Sequence, residues 1–407
     1  MAQEMPDWSE LHHDLLVLIR RRLNLIEDYL NFSIVCKSWH SVATKNNFTS
    51  DLPRIPWLML AEEEEEEDKS LRKFFSLYNG MILNKRIPKA MGKRCMESLG
   101  WLITVGKDEG EINLLHPFSG VEIELPHQNT TEDYEEHGEE CLFTYVRKAV
   151  LSASPSHTSD FVLMVIEGNI RFLSFWRPGD LRWNRVHWDA SHHSPFVDVV
   201  YFNGLFYAVN FSGEVVVCDV GGPESRKRSH VLVQLPFCRR DGMGHLYILE
   251  SLGSLFVVAR DGVQNSWVKD DCERMRIPLT YIPLEEGMTE LEDGQERRYG
   301  TTSFRVFQVD LSADGKVKVT VTQELGDRAF FLGANASISV QASQFPGIKP
   351  NHIYFTDDFF ESYLCYEEGG GMDMGVCNLA DGTIQLHYEA ISLSPVCPPT
   401  WVTPTLH

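Results

Sequence analysis

Several things are scarce in this sequence, and each scarcity excludes a class of function. Positive charge is short: 37 Lys and Arg face 58 Asp and Glu, for a formal net charge of −21. Phosphate backbones and anionic lipid surfaces attract clustered cations, so neither nucleic acid nor a membrane surface is an expected partner. No apolar run approaches the ~20 residues that span a bilayer. Paired cysteines are missing too. The nine cysteines (36, 95, 141, 218, 238, 272, 365, 377 and 397) are odd in number, scattered, and never spaced Cys-x-x-Cys. That pattern suits neither a disulfide framework nor a zinc site and fits a reducing compartment, in the cytoplasm, the nucleus or both. Polar and acidic residues precede the first apolar helix, so no secretory leader is expected. The sequons at Asn129, Asn210 and Asn335 should then go unused.

Catalytic signatures are absent as well. There is no G-x-S-x-G elbow and no phosphate-binding G-x-x-x-x-G-K-[ST] loop. Gly369-Gly-Gly371 follows two glutamates, opens no helix, and reads as a turn; Gly242-Met-Gly-His245 reads the same way. His187, His192 and His193 stand near Asp189, but metal ligation needs convergent side chains at a defined spacing, and a loop between strands is expected. Asp357-Asp358 offers two carboxylates beside Phe359-Phe360, where a turn is expected. The basic triplet Arg226-Lys-Arg228 reads as a solvated loop, with a nuclear-import element as the alternative. No catalytic residue, metal or cofactor is assigned.

What is present divides into two unlike parts. At 407 residues the chain suits a large domain plus a small one. Residues 7–48 carry helical periodicity. Leu11, Leu15, Leu16, Ile19 and Leu23 form an amphipathic stripe, with Asp14 in the expected first turn and Arg20, Arg21 and Arg22 in the last. A second helix should begin near Glu27 and Asp28 and a third should carry Cys36, Trp39 and Val42. Three helices in about forty residues sit at the lower limit for a self-sufficient core, which leaves apolar side chains over for a partner. Residues 49–72 read as a linker. Pro53 and Pro56 break helix, and Glu62 to Asp68 is an acidic run, either a solvated loop or a docking tail for a basic partner.

From residue 73 to 402 the period changes. Short runs rich in Val, Ile, Phe, Tyr and Trp alternate with Gly, Asn, Asp and Pro, as in Gly100–Val105, Phe161–Ile166, Val197–Phe202 and Phe304–Val309. This is an antiparallel all-β pattern without the long crossover helices of a parallel sheet. A unit repeats within it: strand, Asn/Ser-Gly turn, aromatic strand, turn, strand ending in Asp. Its clearest copies are Val200–Asp219 and Leu249–Ala259 with Phe304–Asp310. About four strands in ~40–50 residues is the period of propeller blades, which gives six or seven blades; a stacked β-sandwich pair is the alternative. The copies do not repeat a WD or kelch signature, so the propeller is a divergent one. The charged inserts 127–140 and 285–300 should be blade loops.

Leu11-x-x-Asp-Leu-Leu16, Ile19, Arg22-Leu23, Asp28-Tyr-Leu-Asn-Phe32 and Val35-Cys-Lys-Ser-Trp39 together resemble an F-box. One departure is His12, where the family usually has proline. The remainder resembles the plant F-box proteins whose C-terminal region is catalogued as "domain of unknown function 295", the F-box/kelch-like proteins. Gly100–Leu102, Leu114–Gly120 with Leu125-Pro126, Lys148–Ser152, Asp198–Gly204, Phe330–Gly333 and Asn351–Phe355 carry that resemblance, in order along the chain.

The resemblance implies a non-enzymatic substrate adaptor of an SCF (Skp1–cullin–F-box) ubiquitin ligase. Its F-box would bind a Skp1-like protein, and through it cullin and the RING subunit, while the propeller holds an unknown target. The expected Skp1 contacts are Leu11, Leu15, Leu16, Ile19, Leu23, Leu30, Val35, Cys36 and Trp39. Two alternatives stay open: a scaffold with a degenerate F-box, motivated by His12, and a propeller enzyme with a site in its central channel.

Overall fold

The helical head forms where apolar spacing puts it. The computed structural model describes residues 7–23, 26–43, 55–62, 68–106, 110–132, 134, 145–168, 170–187, 194–220, 228–236, 245–262, 300–311, 316–359, 363 and 369–405. A 3₁₀ turn, Trp8–Glu10, precedes α1 (His13–Arg20), α2 (Ile26–Ile34) and α3 (Lys37–Val42). Leu16, Phe32 and Val42 make the buried centre, with Leu11, Val17, Ile19, Leu23, Trp39 and Ala43 packed around it. The Phe32 and Trp39 rings lie 4.6 Å apart, and Trp39 Nε1 donates to the Trp8 carbonyl at 2.9 Å.

His12 proves to be the N-cap of α1. Its ring Nδ1 accepts from the Asp14 N–H at 3.4 Å, supplying one partner for the unpaired donors of the first turn. Its backbone, at φ −58° and ψ 140°, is one that proline also adopts, and Leu11 before it is extended at φ −60° and ψ 131°. Proline here would trade the ring's weak cap for a stiffer unfolded chain. His12→Pro should therefore leave the head folded and shift its stability by no more than about 1 kcal/mol in either direction. Thermal melts of the two proteins would show it; a drop of well over about 10 °C would mean the imidazole cap carries more than its length suggests.

Six sheets follow. Blade one is β1 (Trp57–Met59), β2 (Leu71–Phe75) and β3 (Ile82–Arg86), with the C-terminal strand β25 (Thr400–Val402) alongside β1. Blade two is β4 (Lys93–Ser98), β5 (Trp101–Gly106), β6 (Ile112–Leu115) and β7 (Glu122–Glu124). Blade three is β8 (Val146–Leu151), β9 (Leu163–Glu167), β10 (Phe172–Trp176) and β11 (Asn184–Arg185). Blade four is β12 (Phe196–Phe202), β13 (Leu205–Asn210), β14 (Glu214–Asp219) and β15 (Arg228–Gln234). Blade five is β16 (His245–Ser251), β17 (Ser254–Asp261), β18 (Ser303–Leu311) and β19 (Val317–Thr322). Blade six holds β20 (Arg328–Leu332), β21 (Ile338–Gln341), β22 (His352–Phe355), β23 (Gly375–Asn378) and β24 (Ile384–Gln385), in the order β21-β20-β22-β23-β24 with β20 and β22 parallel. The count of six resolves the expectation of six or seven.

Strands β25, β4, β8, β12, β16 and β21 are the inner ones, each touching the next around the axis. Apolar layers fill the gaps between blades, joining blades two and three, three and four, four and five, five and six, and blade one with both neighbours. A strand such as β5 is buried along its whole length because both of its faces meet such a layer. The outer strands β3 and β19 alternate between exposed and half-buried. At the β12–β13 hairpin, Asn203 and Gly204 take φ +49° and +83°, the turn that matches strand twist. Leu252 takes the same left-handed role between β16 and β17, at φ +52°.

The stretch 49–72, read as a linker, contains strand. Leu58 pairs with Trp401 and with Phe75, so Trp57–Met59 lies between the C-terminal strand and β2 and is buried throughout. Its signal was hidden between helix-breaking prolines and the acidic run. Glu62, the first residue of that run, is not solvated. It accepts from Arg72 Nη2 at 2.5 Å and from the Gly92 N–H at 3.0 Å. Residues 63–67 lie outside the described residues, as do 285–299 of the second charged insert, 188–193 of the histidine cluster, Arg226, and Cys141, Cys238, Cys272 and Cys365. Two sequons are closed off by folding: Asn210 and Asn335 are buried, and their amides donate to Glu214 and to the Ala336 carbonyl.

Glu97 locks the closing end of the ring. Its Oε1 accepts from Gly100 N–H at 2.7 Å and from Thr403 N–H, just beyond β25, at 3.4 Å, while Oε2 has no partner. Burial pushes its carboxyl up to about 8, against the pull of those N–H groups. The folded chain therefore favours the protonated acid. The contribution is fully present below about pH 4.5 and is lost as pH rises toward and through 8. Glu97→Gln should remove that loss, making the variant more stable than wild type by up to about 5 kcal/mol at pH 9 and little different at pH 4.5. Urea midpoints at the two pH values would test the sign.

Candidate functional site

Two regions concentrate chemistry: the surface of the helical head and the propeller channel. On the head, helix geometry divides the expected contact residues. Leu15 is 49% exposed and Val35 53% exposed. Leu16, expected on the contact surface, is 1% exposed between Phe32 and Val42 and holds the helices together instead. Leu11, Ile19, Leu23 and Trp39 are half-buried against that centre, and Cys36 is half-buried at the N-cap of α3. The side chain of Leu30, on α2, lies outside the described residues. Sequence reasoning passed over Leu18, 51% exposed, and Trp8, 59% exposed. Leu18 falls off the stripe that turns inward, so its position opposite Leu16 was the available signal. Trp8, Leu15, Leu18 and Val35 are thus the large apolar side chains left exposed among the described residues of the head.

In the channel, buried charge is distributed among the inner strands. Asp198 on β12 is fully buried. Lys148 on β8 lies 3.2 Å from its Oδ1, and the N–H of Val199 donates to the same oxygen at 2.8 Å. Oδ2 accepts from the Ile248 N–H on β16 at 2.9 Å and from Ser337 Oγ at 3.1 Å. Lys148 Nζ also donates to the Gly333 carbonyl at 2.9 Å. One carboxylate thus ties blades three, four, five and six. Burial pushes its pKa up, and Lys148 and the two N–H donors pull against that. Lys148, Asp198 and Gly333 come from three of the stretches that carried the sequence resemblance.

A second node lies beside it. Arg260 on β17 is fully buried. Its Nε donates to Thr301 Oγ1 at 2.6 Å, its Nη1 to Tyr247 Oη and to the Thr356 carbonyl, both at 2.9 Å, and its Nη2 to Asp373 Oδ2 at 2.8 Å. Asp358 lies 3.2 Å from Nη1 and 3.6 Å from His245 Nε2. Burial would raise the Asp358 carboxyl, but His245, Arg260 and Lys148 outweigh it and hold it low. Asp357 turns elsewhere, accepting from the Gly371 and Asp373 N–H groups. The two adjacent carboxylates thus serve separate partners and do not form an acid–base pair. The glycine cluster beside them is a close passage: a Cβ on Gly371 would lie 2.1 Å from the Ser392 carbonyl oxygen.

Between these nodes a small cavity is lined by Arg94, Arg147, Lys148, Arg171, His245 and Asp358 with Phe196, Val197 and Ala334. Its cations are largely engaged by neutral backbone: Arg94 donates to the Val146 and Arg147 carbonyls and Arg147 to that of Gly168. Among the described residues no three His, Cys, Asp or Glu side chains gather as a metal site, and no helix is long and apolar enough to cross a membrane.

A small helical head with apolar side chains turned outward, followed by a six-bladed propeller held by internal charge, is the make-up of an F-box substrate-recognition protein. The F-box domain model matches residues 8–51 and the KIB1-4 beta-propeller model residues 74–378. The chain belongs to the plant F-box proteins with a C-terminal KIB1-4 β-propeller. It is similar to the F-box protein SKIP23 of Arabidopsis thaliana, 26% identical over 98% of this chain and 96% of that one. It is also similar to the F-box/kelch-repeat protein At3g18720 of the same plant, 29% identical over 63% of this chain and 66% of the other. Among solved structures, the crystal structure of Kluyvelomyces marxianus Hsv2 matches at 12% identity over 67% of this chain and 71% of that one, with a TM-score of 0.32.

Proposed function

We propose that this protein is the substrate-recognition adaptor of an SCF-type ubiquitin ligase, working inside the cell. Its head docks a Skp1-like protein, which brings cullin and the RING subunit, and its propeller holds the target for ubiquitination. The observation that carries the reading is the outward set Trp8, Leu15, Leu18 and Val35 on a head whose other described apolar side chains are buried or half-buried. His12 supports it, because its imidazole caps α1 at the position where the family usually has proline. The adaptor makes and breaks no bonds itself. Among the described residues, the channel carboxylates Asp198, Asp358 and Asp373 each face a buried lysine or arginine, the pairing of a structural network. The acidic balance of the chain favours a target with a basic face.

The test is co-purification of the full chain with a plant Skp1-like protein and cullin. Recovery of the three together supports the adaptor. A folded propeller that retains neither subunit would leave a scaffold as the better reading.

A further inference from the structure

The small cavity between the two charged nodes has a sign opposite to that of the chain. The sequence sums to −21, yet Arg94, Arg147, Lys148 and Arg171 line this void together, with His245 beside them and Asp358 as the lining carboxylate. Arg94 and Lys148 are 4% exposed and Arg171 is 6% exposed, so water does little to screen their charge. Asp358 already faces Arg260 at 3.2 Å and His245 at 3.6 Å, and Lys148 faces Asp198 at 3.2 Å. Arg94 and Arg147 give N–H groups to the Val146, Arg147 and Gly168 carbonyls, bonds that satisfy a donor without cancelling its charge. Arg171 lays its guanidinium over the Phe211 ring, 4.6 Å from the centroid.

Size limits what such a site can take. The cavity measures about 20 Å³, and a single water needs about 10–15 Å³. An ion of one atom fits; a phosphate or sulfate, with four oxygens around its centre, does not. A halide also accepts from N–H donors in any direction, which suits cations that converge from separate blades. Arg94, Arg147 and His245 stand at the first or second residue of β4, β8 and β16, the inner strands of blades two, three and five. We propose that this cavity binds a chloride ion, held by the charge of Arg94, Arg147, Lys148 and Arg171. The ion offsets positive charge that folding has removed from water, which is costly to leave unmatched. It also fixes the inner strands where the connections from one blade to the next enter the ring.

The purified full chain is melted in sodium gluconate, sodium chloride and sodium bromide at one ionic strength. Gluconate is too large for the cavity. Chloride and bromide should raise the melting temperature by about 2–4 °C over gluconate, and chloride titrated into gluconate should bring the rise to a plateau. Crystals grown with bromide should show a strong anomalous peak inside the cavity. Arg171→Met should fold in gluconate and lose the rise. If that variant fails to fold, Arg147→Met, at a half-buried position, serves the same purpose, and the bromide peak in wild type decides independently. Equal melting in the three salts, a rise without a plateau, or bromide on the outer surface alone (an adventitious ion only) would overturn the proposal.

Discussion

Leu15→Ala combined with Leu18→Ala should weaken binding of a Skp1-like partner by roughly 100-fold or more, with the head still folded. Interface energy concentrates in a few large apolar side chains, at about 2 kcal/mol or more for each anchor truncated, and 1.4 kcal/mol is tenfold in affinity. Both leucines are half exposed, so trimming them leaves no cavity in the unbound protein. Leu16→Ala is the contrast. It removes a side chain from the small centre it shares with Phe32 and Val42, so it should cost about 2–5 kcal/mol of folding stability. Titration calorimetry with the partner, beside circular dichroism of each variant, separates the two effects. Unchanged affinity in the double variant would move the docking surface elsewhere on the head.

Asp198→Ala should destabilise the propeller by about 3–5 kcal/mol, because it strands the Lys148 ammonium in a buried site. The loss reaches further than one pair. The same carboxylate receives Ile248 of blade five and Ser337 of blade six, so four blades lose a common fastening. Adding Lys148→Met should recover much of the loss, since a neutral side chain no longer needs a counter-charge. Urea unfolding of the two single variants and the double variant gives the coupling. Simple addition of the two single effects would show that the pair acts as two independent groups.

Physical range decided what the sequence could tell. The head was legible because helix periodicity and its expected first turns are local. Even so, spacing alone could not say whether Leu15 or Leu16 turns inward, and the answer depended on where α2 and α3 pack. The blades were legible from hairpins such as Asn203-Gly204, whose two strands are neighbours in sequence. The partnership of Trp57–Met59 with residues 400–402 was not, because it spans almost the whole chain and the strand lies between prolines and an acidic run. Nor was the Lys148–Asp198 pair. Each residue opens what reads as an ordinary strand, and only the ring brings them within 3.2 Å.

The ring closes with β25 against β1, so it cannot be completed until residue 402 has been made. The head is complete some 360 residues sooner, ending with Val42. At synthesis rates of 5–20 residues per second, roughly 20–70 s separate the two events. For that interval the nascent chain presents a finished helical head on an unfinished propeller. A partner able to cover Leu15 and Leu18 could join it on the ribosome, before the chain is able to grip anything at its other end.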